Sequence, residues 1–344
     1  MSTPLRFGLL GCGAVAYWAH LRTFRHLREA VLVAAADPDA AARSRAARLT
    51  RAALHERAED LLARDDLDAV VISAPTPLHA ELAVATAAAR RPFYLEKPLA
   101  TTAAEARRVL AAAGEAAVTT AVGFNFRLHP AHARARTLLA RGCIGRVRAV
   151  QTTFCESLPA HALPAWKRRR ESGGGVLLDL GSHHVDLVRW CLDDEVATVE
   201  AELRSLATED DVACVMLTMA SGVAVQSYFS LCAGPVDRVE FIGERGTLLV
   251  DRHRCVVRLR VPRRLGYGLR TRWPVPGLAA ACLRRLVRPS YEPSFARALA
   301  AFVDRLRGRN APIASLDDGA RSLAVVLAAE KSAQCRAPVA VGML

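Results

Sequence analysis

Continuous apolar runs alternate with helical patterns through the first 125 residues. Arg6–Leu10 reads as a buried strand ending in a glycine turn, and Val31–Ala36 as a second that stops at Asp37-Pro38. Leu67–Ser73, Pro92–Leu95 and Val118–Val122 read as further strands. Val15–Leu27, Ala40–Leu49, Leu78–Ala89 and Thr102–Ala113 read as the helices between them. Strands that are apolar on successive residues and separated by helices predict a parallel sheet covered on both faces.

The pattern changes after Arg127. Pro130–Leu139 reads as a helix, Gly145–Phe154 as a strand, and Gly173-Gly174-Gly175 leads into a helix through Trp190. From Thr198 to Arg260 short strands follow one another, separated by turns such as Ala220-Ser221-Gly222, as in hairpins. Two amphipathic helices, near Ser294–Gly308 and Asp317–Gln334, close the chain and are expected to pack back on a domain. The fold class is α/β with two domains. Residues 1–125 read as the first domain, with the parallel sheet, and residues 126–344 as an α/β domain with a mainly antiparallel sheet.

A length of 344 residues suits two domains. No uncharged apolar run reaches membrane-spanning length, and the start of the chain lacks the pattern of a secretory signal, which implies a cytoplasmic protein. The nine cysteines are scattered without a CxxC pair, so neither a zinc site nor a disulfide framework is expected, and most read as small buried hydrophobes. The formal charge of +13 is concentrated between Arg252 and Ser290, which hold eleven arginines and no acid. That stretch could grip phosphates of a nucleotide sugar or touch an anionic membrane through Trp273–Leu286, but no nucleic-acid motif accompanies it. A solvated Arg-rich edge is the preferred reading. Lys167-Arg168-Arg169-Arg170 is a better candidate for binding a substrate anion.

Candidate chemistry begins at Gly11-x-Gly13-x-x-Ala16, between a strand and a helix. The first glycine permits a tight turn, and the second lets backbone amides at Gly13, Ala14 and Val15 approach a pyrophosphate. The small third residue lets the helix pack on the sheet. Asp37 at the end of the next strand can accept from both adenosine ribose hydroxyls and would repel a 2′-phosphate, favouring NAD over NADP. Lys97 is one of only three lysines, with Lys167 and Lys331, in a chain that otherwise uses Arg for positive charge. Lysine supplies a titratable point charge that Arg does not. Asp179, His183 and Asp186, spaced i, i+4, i+7, would share one helix face. His183 has the titration range of a general acid/base, Asp179 could orient it or bind a substrate hydroxyl, and Lys97 could steady charge on a reacting oxygen. This suits hydride transfer between a nicotinamide and a secondary alcohol or ketone. The plain alternatives are a capping Asp179 with a buried His183, and a non-catalytic dinucleotide-binding regulator or scaffold.

These residues, with Ala74-Pro75-Thr76-Pro77-Leu78-His79, Glu96-Lys97-Pro98, Gly123-Phe124-Asn125-Phe126-Arg127, Gly173-Gly174-Gly175 and Gly243-Glu244-Arg245-Gly246-Thr247, resemble the Gfo/Idh/MocA family of NAD(P)-dependent sugar and cyclitol oxidoreductases over nearly the whole chain. The resemblance implies a Rossmann domain followed by an α/β domain whose open sheet often serves as a homodimer or homotetramer interface. It implies that Lys97 and His183 are catalytic, with Asp179 assisting. Pro75, Glu96, Lys97 and Asn125 would lie by the cofactor, and Lys97, Arg127, Asp179 and His183 by a sugar, cyclitol or nucleotide-sugar substrate. A cis Lys97–Pro98 peptide is also implied, and no metal. Where the family often has Thr-Pro-Asn, this chain has Ala74-Pro75-Thr76.

Overall fold

The computed structural model describes residues 3–262, 269–272 and 292–344. It divides into two compact units, Met1–Leu128 with Ser294–Leu323, and His129–Pro293 with Ala324–Met343.

In the first unit, strands β1 (Leu5–Leu10), β2 (Ala30–Ala36), β3 (Ala53–His55), β4 (Ala69–Ile72), β5 (Phe93–Leu95) and β6 (Thr120–Val122) form one sheet in the order β3-β2-β1-β4-β5-β6, parallel throughout. β3 was not foreseen. It is three residues long and none of them is fully buried, so it leaves no apolar run to read. Helices α1 (Leu21–Phe24), α2 (Ala40–Ala47), α3 (Ala58–Leu62), α4 (His79–Ala88) and α5 (Ala103–Ala116) connect the strands. The strand order reverses between β1 and β4, and the loops after these two strands therefore diverge around a crevice at the carboxyl end of the sheet. Gly11 and Ser73, the first residues of those loops, are in close approach.

Helix α6 (Pro130–Ala140) opens the second unit. It continues with β7 (Val147–Ser157), α7 (Ser182–Leu192), β8 (Val196–Arg204), β9 (Val212–Met219), β10 (Ala224–Ser230), β11 (Cys232–Gly243), β12 (Gly246–Asp251), β13 (Val256–Pro262) and β14 (Leu269–Arg272). After α8 (Pro293–Leu306) and α9 (Leu316–Cys335), a last strand, β15 (Val339–Ala340), joins the same sheet. The order is β14-β13-β12-β11-β7-β10-β9-β8-β15. β7 and β10 run parallel and the other pairs antiparallel. β9 alternates buried and exposed positions, leaving one face open with Met216 and Tyr228 exposed.

α8 lies in the core of the first unit. Phe302 meets Phe7 at 6.2 Å and Tyr94 at 6.0 Å between ring centroids, and Leu299 and Val303 are fully buried with them. Ala314 bridges to Val122 at the sheet edge.

Two expectations are corrected. Cys214, Cys232 and Cys335 are exposed rather than buried. Arg252 is buried rather than part of a solvated edge, and Val256–Pro262 with Leu269–Arg272 makes a strand pair within the sheet. The Trp273–Leu286 segment, read as a possible membrane contact, lies outside the described residues. Among the described residues no helix is long and apolar enough to cross a membrane.

Candidate active site

The turn after β1 is built for close approach. Gly11 has φ +91°, and a Cβ there would meet the Ser73 carbonyl oxygen at 2.5 Å, so only glycine fits. A Cβ on Gly13, by contrast, would have nothing within 4 Å, leaving the backbone open to a ligand. Ala16 is fully buried and starts a π turn, Ala16–His20, that runs into α1. The Cys12 amide donates to Asp37 Oδ2 at 2.7 Å and the Asp39 amide to Asp37 Oδ1 at 2.8 Å. Each carboxylate oxygen keeps a second acceptor site for a ribose hydroxyl. Burial and the Asp37 charge push the Cys12 thiol up to about 12, so it adds no anion to the turn. Asn125 donates to Ser294 Oγ at 2.7 Å, while its own Oδ1 is buried without a partner among the described residues. Ser73 Oγ is in the same position. Unspent buried polar atoms and an open glycine backbone fit a dinucleotide.

Lys97 follows β5 and is half-buried. On one side of it, Glu96 is buried and accepts from His20 Nε2 at 2.8 Å. Gly123 leaves that carboxylate room, because a Cβ there would lie 2.8 Å from Glu96 Oε2. On the other side the Lys97–Pro98 peptide is cis, and the Pro98 carbonyl accepts from His79 Nδ1 at 2.7 Å.

In the second unit, Gly173 and Gly175 adopt positive φ, and a Cβ on Gly174 would meet the Lys167 carbonyl at 2.3 Å. The helix that follows begins with a π turn, Leu177–Gly181, before α7. The wider turn breaks the regular helical register. Asp179 is partly exposed and accepts from Lys167 Nζ at 2.7 Å. His183 is buried beside Phe154, with ring centroids 6.3 Å apart. Asp186 is buried 3.9 Å from Arg189. Asp186, like His183, is buried. His184 stacks on Phe154 at 5.2 Å and lies 3.2 Å from Asp237. Burial alone would raise the Asp237 pKa, but the Arg252 guanidinium, 2.5 Å away, and His184 hold it well below the ordinary carboxylate range.

Residues 5–124 match the model described as the oxidoreductase family, NAD-binding Rossmann fold, and residues 132–249 match the GFO/IDH/MocA C-terminal domain. A 1,5-anhydro-D-fructose reductase from Ensifer adhaerens is 31% identical over 284 residues, covering 80% of each chain. The chain belongs to the Gfo/Idh/MocA family of oxidoreductases. An inositol 2-dehydrogenase from Acidothermus cellulolyticus is 32% identical over 263 residues, 74% of this chain and 75% of that protein. The crystal structure of an oxidoreductase domain protein from Kribbella flavida superposes with a TM-score of 0.86 at 27% identity, covering 99% of this chain and 100% of that one.

Several residues of this Gfo/Idh/MocA chain take roles that their sequence positions did not suggest. Arg127, expected by the substrate, is buried and held at both guanidinium ends by Asp318, with NH1 3.2 Å from Oδ2 and NH2 3.0 Å from Oδ1. Most of the basic run is paired within the chain. Lys167 bonds Asp179, Arg168 bonds the Leu163 carbonyl, Arg169 faces Glu171, and Arg170 bonds Glu330 through two nitrogens. That run is better explained as support for the glycine turn than as an anion site. Sequence reading missed Glu156. It follows Phe154 on the same face of β7, with His253 Nε2 3.9 Å away. Burial raises its pKa against the pull of Arg252, and the Asp237 and Asp179 charges raise it further. Alternation along β7 could have found it. His20 and His79 were missed as well, because their partners lie 76 and 19 residues away.

Proposed function

We propose that the protein is an NAD-dependent dehydrogenase or reductase acting on a secondary hydroxyl or keto group of a sugar, cyclitol or nucleotide sugar. The observation that carries this reading is Lys97, a half-buried lysine whose neighbours on both sides are fixed by buried histidines, in the same unit as the glycine turn and Asp37. When bound at that turn, a nicotinamide dinucleotide supplies the two-electron acceptor or donor. Gly11, Gly13, Ala14 and Val15 hold its phosphates, and Asp37 takes the ribose hydroxyls and disfavours a 2′-phosphate. Pro75, Glu96 and Asn125 line the nicotinamide end.

In the oxidative direction His183 accepts the hydroxyl proton as general base. Lys97 is the donor suited to steady charge developing on a reacting oxygen. Asp179, its charge balanced by Lys167, accepts from a neighbouring substrate hydroxyl. In reduction the proton path reverses. The open face of the second unit's sheet, with Met216 and Tyr228 exposed, serves a homo-oligomer in this reading.

The test is turnover with NAD and with NADP against sugars, cyclitols and nucleotide sugars, followed by nicotinamide absorbance, together with the reverse reaction on keto compounds. Lys97→Met should lower kcat by roughly a hundredfold or more while leaving NAD affinity near wild type. Full activity in that variant would remove Lys97 from the chemistry. NAD binding without turnover in either direction would favour the regulator.

A further inference from the structure

His79 opens α4, and its ring is 1% exposed. Nδ1 lies 2.7 Å from the Pro98 carbonyl oxygen, and Nε2 lies 3.0 Å from the Ala74 carbonyl oxygen. These two carbonyls belong to the irregular segments that follow β4 and β5. One segment carries Pro75 and the other carries Lys97. A single buried side chain therefore braces the two loops on which the cofactor contacts and the reactive lysine depend.

We propose that His79 is a positioning residue for Lys97, acting through an Nδ1–H that fixes the Pro98 carbonyl. The inference rests on the role given to Lys97 above. A carbonyl oxygen only accepts, so each ring nitrogen needs a proton to make its contact favourable, and a neutral imidazole has one. The shorter contact marks Nδ1 as the donor. Burial lowers the His79 pKa and Lys97 reinforces that, while the Pro98 and Ala74 carbonyls and the Glu96 charge oppose it. In the neutral ring with its proton on Nδ1 the Pro98 bond is firm, and the Ala74 contact is the weaker one. With Glu96 held by His20 and Pro98 held by His79, the backbone at Lys97 is fixed on both sides. Its long side chain then swings from a defined point.

Asparagine places its amide nitrogen near the position of Nδ1, and glutamine near that of Nε2. His79→Asn should keep the Pro98 bond and turnover close to wild type. His79→Gln should keep the Ala74 contact and NAD affinity but lower kcat by tenfold to about a hundredfold, as expected for a displaced catalytic group. A readout that needs no substrate comes from the three lysines of this chain. Reductive methylation with 13C-formaldehyde yields three dimethyl-lysine environments, and Lys97→Met assigns the one of interest. That signal should stay in place in His79→Asn and shift in His79→Gln. The spectrum answers even if every compound in the substrate panel is inert, so failure of the functional reading and failure of this one are separable. Equal effects of Asn and Gln on NAD affinity and on the Lys97 signal would make His79 merely structural, and an unmoved signal in His79→Gln would overturn the proposal. If either variant does not fold, the 15N imidazole spectrum of the wild-type protein decides: a proton on Nδ1 supports the proposal, and a ring protonated only on Nε2 overturns it.

Discussion

His129 caps α6 by accepting the Ala131 amide at Nδ1, 3.2 Å away, and a nitrogen that accepts carries no proton. Burial lowers the His129 pKa to about 3, with His132 and Arg252 adding to the effect and Glu292 and Asp237 opposing it. The unfolded chain binds a proton at this residue below the ordinary histidine pKa of about 6.5, and the folded chain does not. Stability contributed by the neutral ring is therefore complete above that value and falls with pH until about 3. Asparagine is itself a good N-cap. His129→Asn should keep the helix start and flatten the pH dependence of unfolding free energy in that window by up to ~1.4 kcal/mol per pH unit. Urea unfolding across the window measures this, and an unchanged slope would mean that the folded state already holds the proton. At this scale the sequence was uneven. Gly11, Gly13, Asp37, Lys97, Asp179 and His183 could be singled out because local motifs carry them. The pairing of Arg127 with Asp318 was not foreseen, and His20, His79 and Glu156 were missed, because their partners lie distant along the chain.

Helix α5 shows where local pattern suffices. Thr102 Oγ accepts from the Glu105 amide at 3.2 Å, and Glu105 Oε2 accepts from the Thr101 and Thr102 amides and from Thr101 Oγ. Burial would raise the Glu105 pKa, but the Thr101 hydrogen bonds and those of Thr102 hold it below its ordinary value. This reciprocal cap is a four-residue pattern, and the helix start was read at Thr102. Thr102→Ala should cost ~1 kcal/mol in urea unfolding. A loss of only a few tenths would mean that Glu105 alone secures the helix start. The π turns at Ala16–His20 and Leu177–Gly181 had no such signature. Each is a one-turn departure inside a stretch that still reads as a helix. The second of them changes the register of Asp179 against His183 and Asp186, which both lie in the regular α7 that follows.

Across the whole molecule, the alternation of apolar runs and helices indicated a parallel sheet, but strand order depends on pairings distant in sequence. Two apolar helix faces indicated that the closing helices pack back on a domain, and residues 294–323 return to the first unit. The structure gives α8 its home against Phe7, Phe24 and Tyr94, which its Phe302 side joins in one core. Leu299, Phe302 and Val303 are fully buried. At about 1.5–3 kcal/mol for each large apolar side chain, their burial contributes on the order of 5–9 kcal/mol. That is comparable to the whole net stability of an ordinary domain, roughly 5–15 kcal/mol. Asn125 and Arg127 depend on the same segment, through Ser294 and Asp318. Residues 3–128 alone should therefore fail to unfold cooperatively and fail to bind NAD. The same residues joined by a flexible Gly/Ser linker to 294–323 should recover a sigmoidal urea transition, with NAD binding returning alongside it. Cooperative unfolding of the shorter fragment at the same urea midpoint would show that α8 only covers a core already complete. Recovery of the transition without NAD binding would separate the two contributions, leaving α8 as core and moving the decisive cofactor contacts outside this unit.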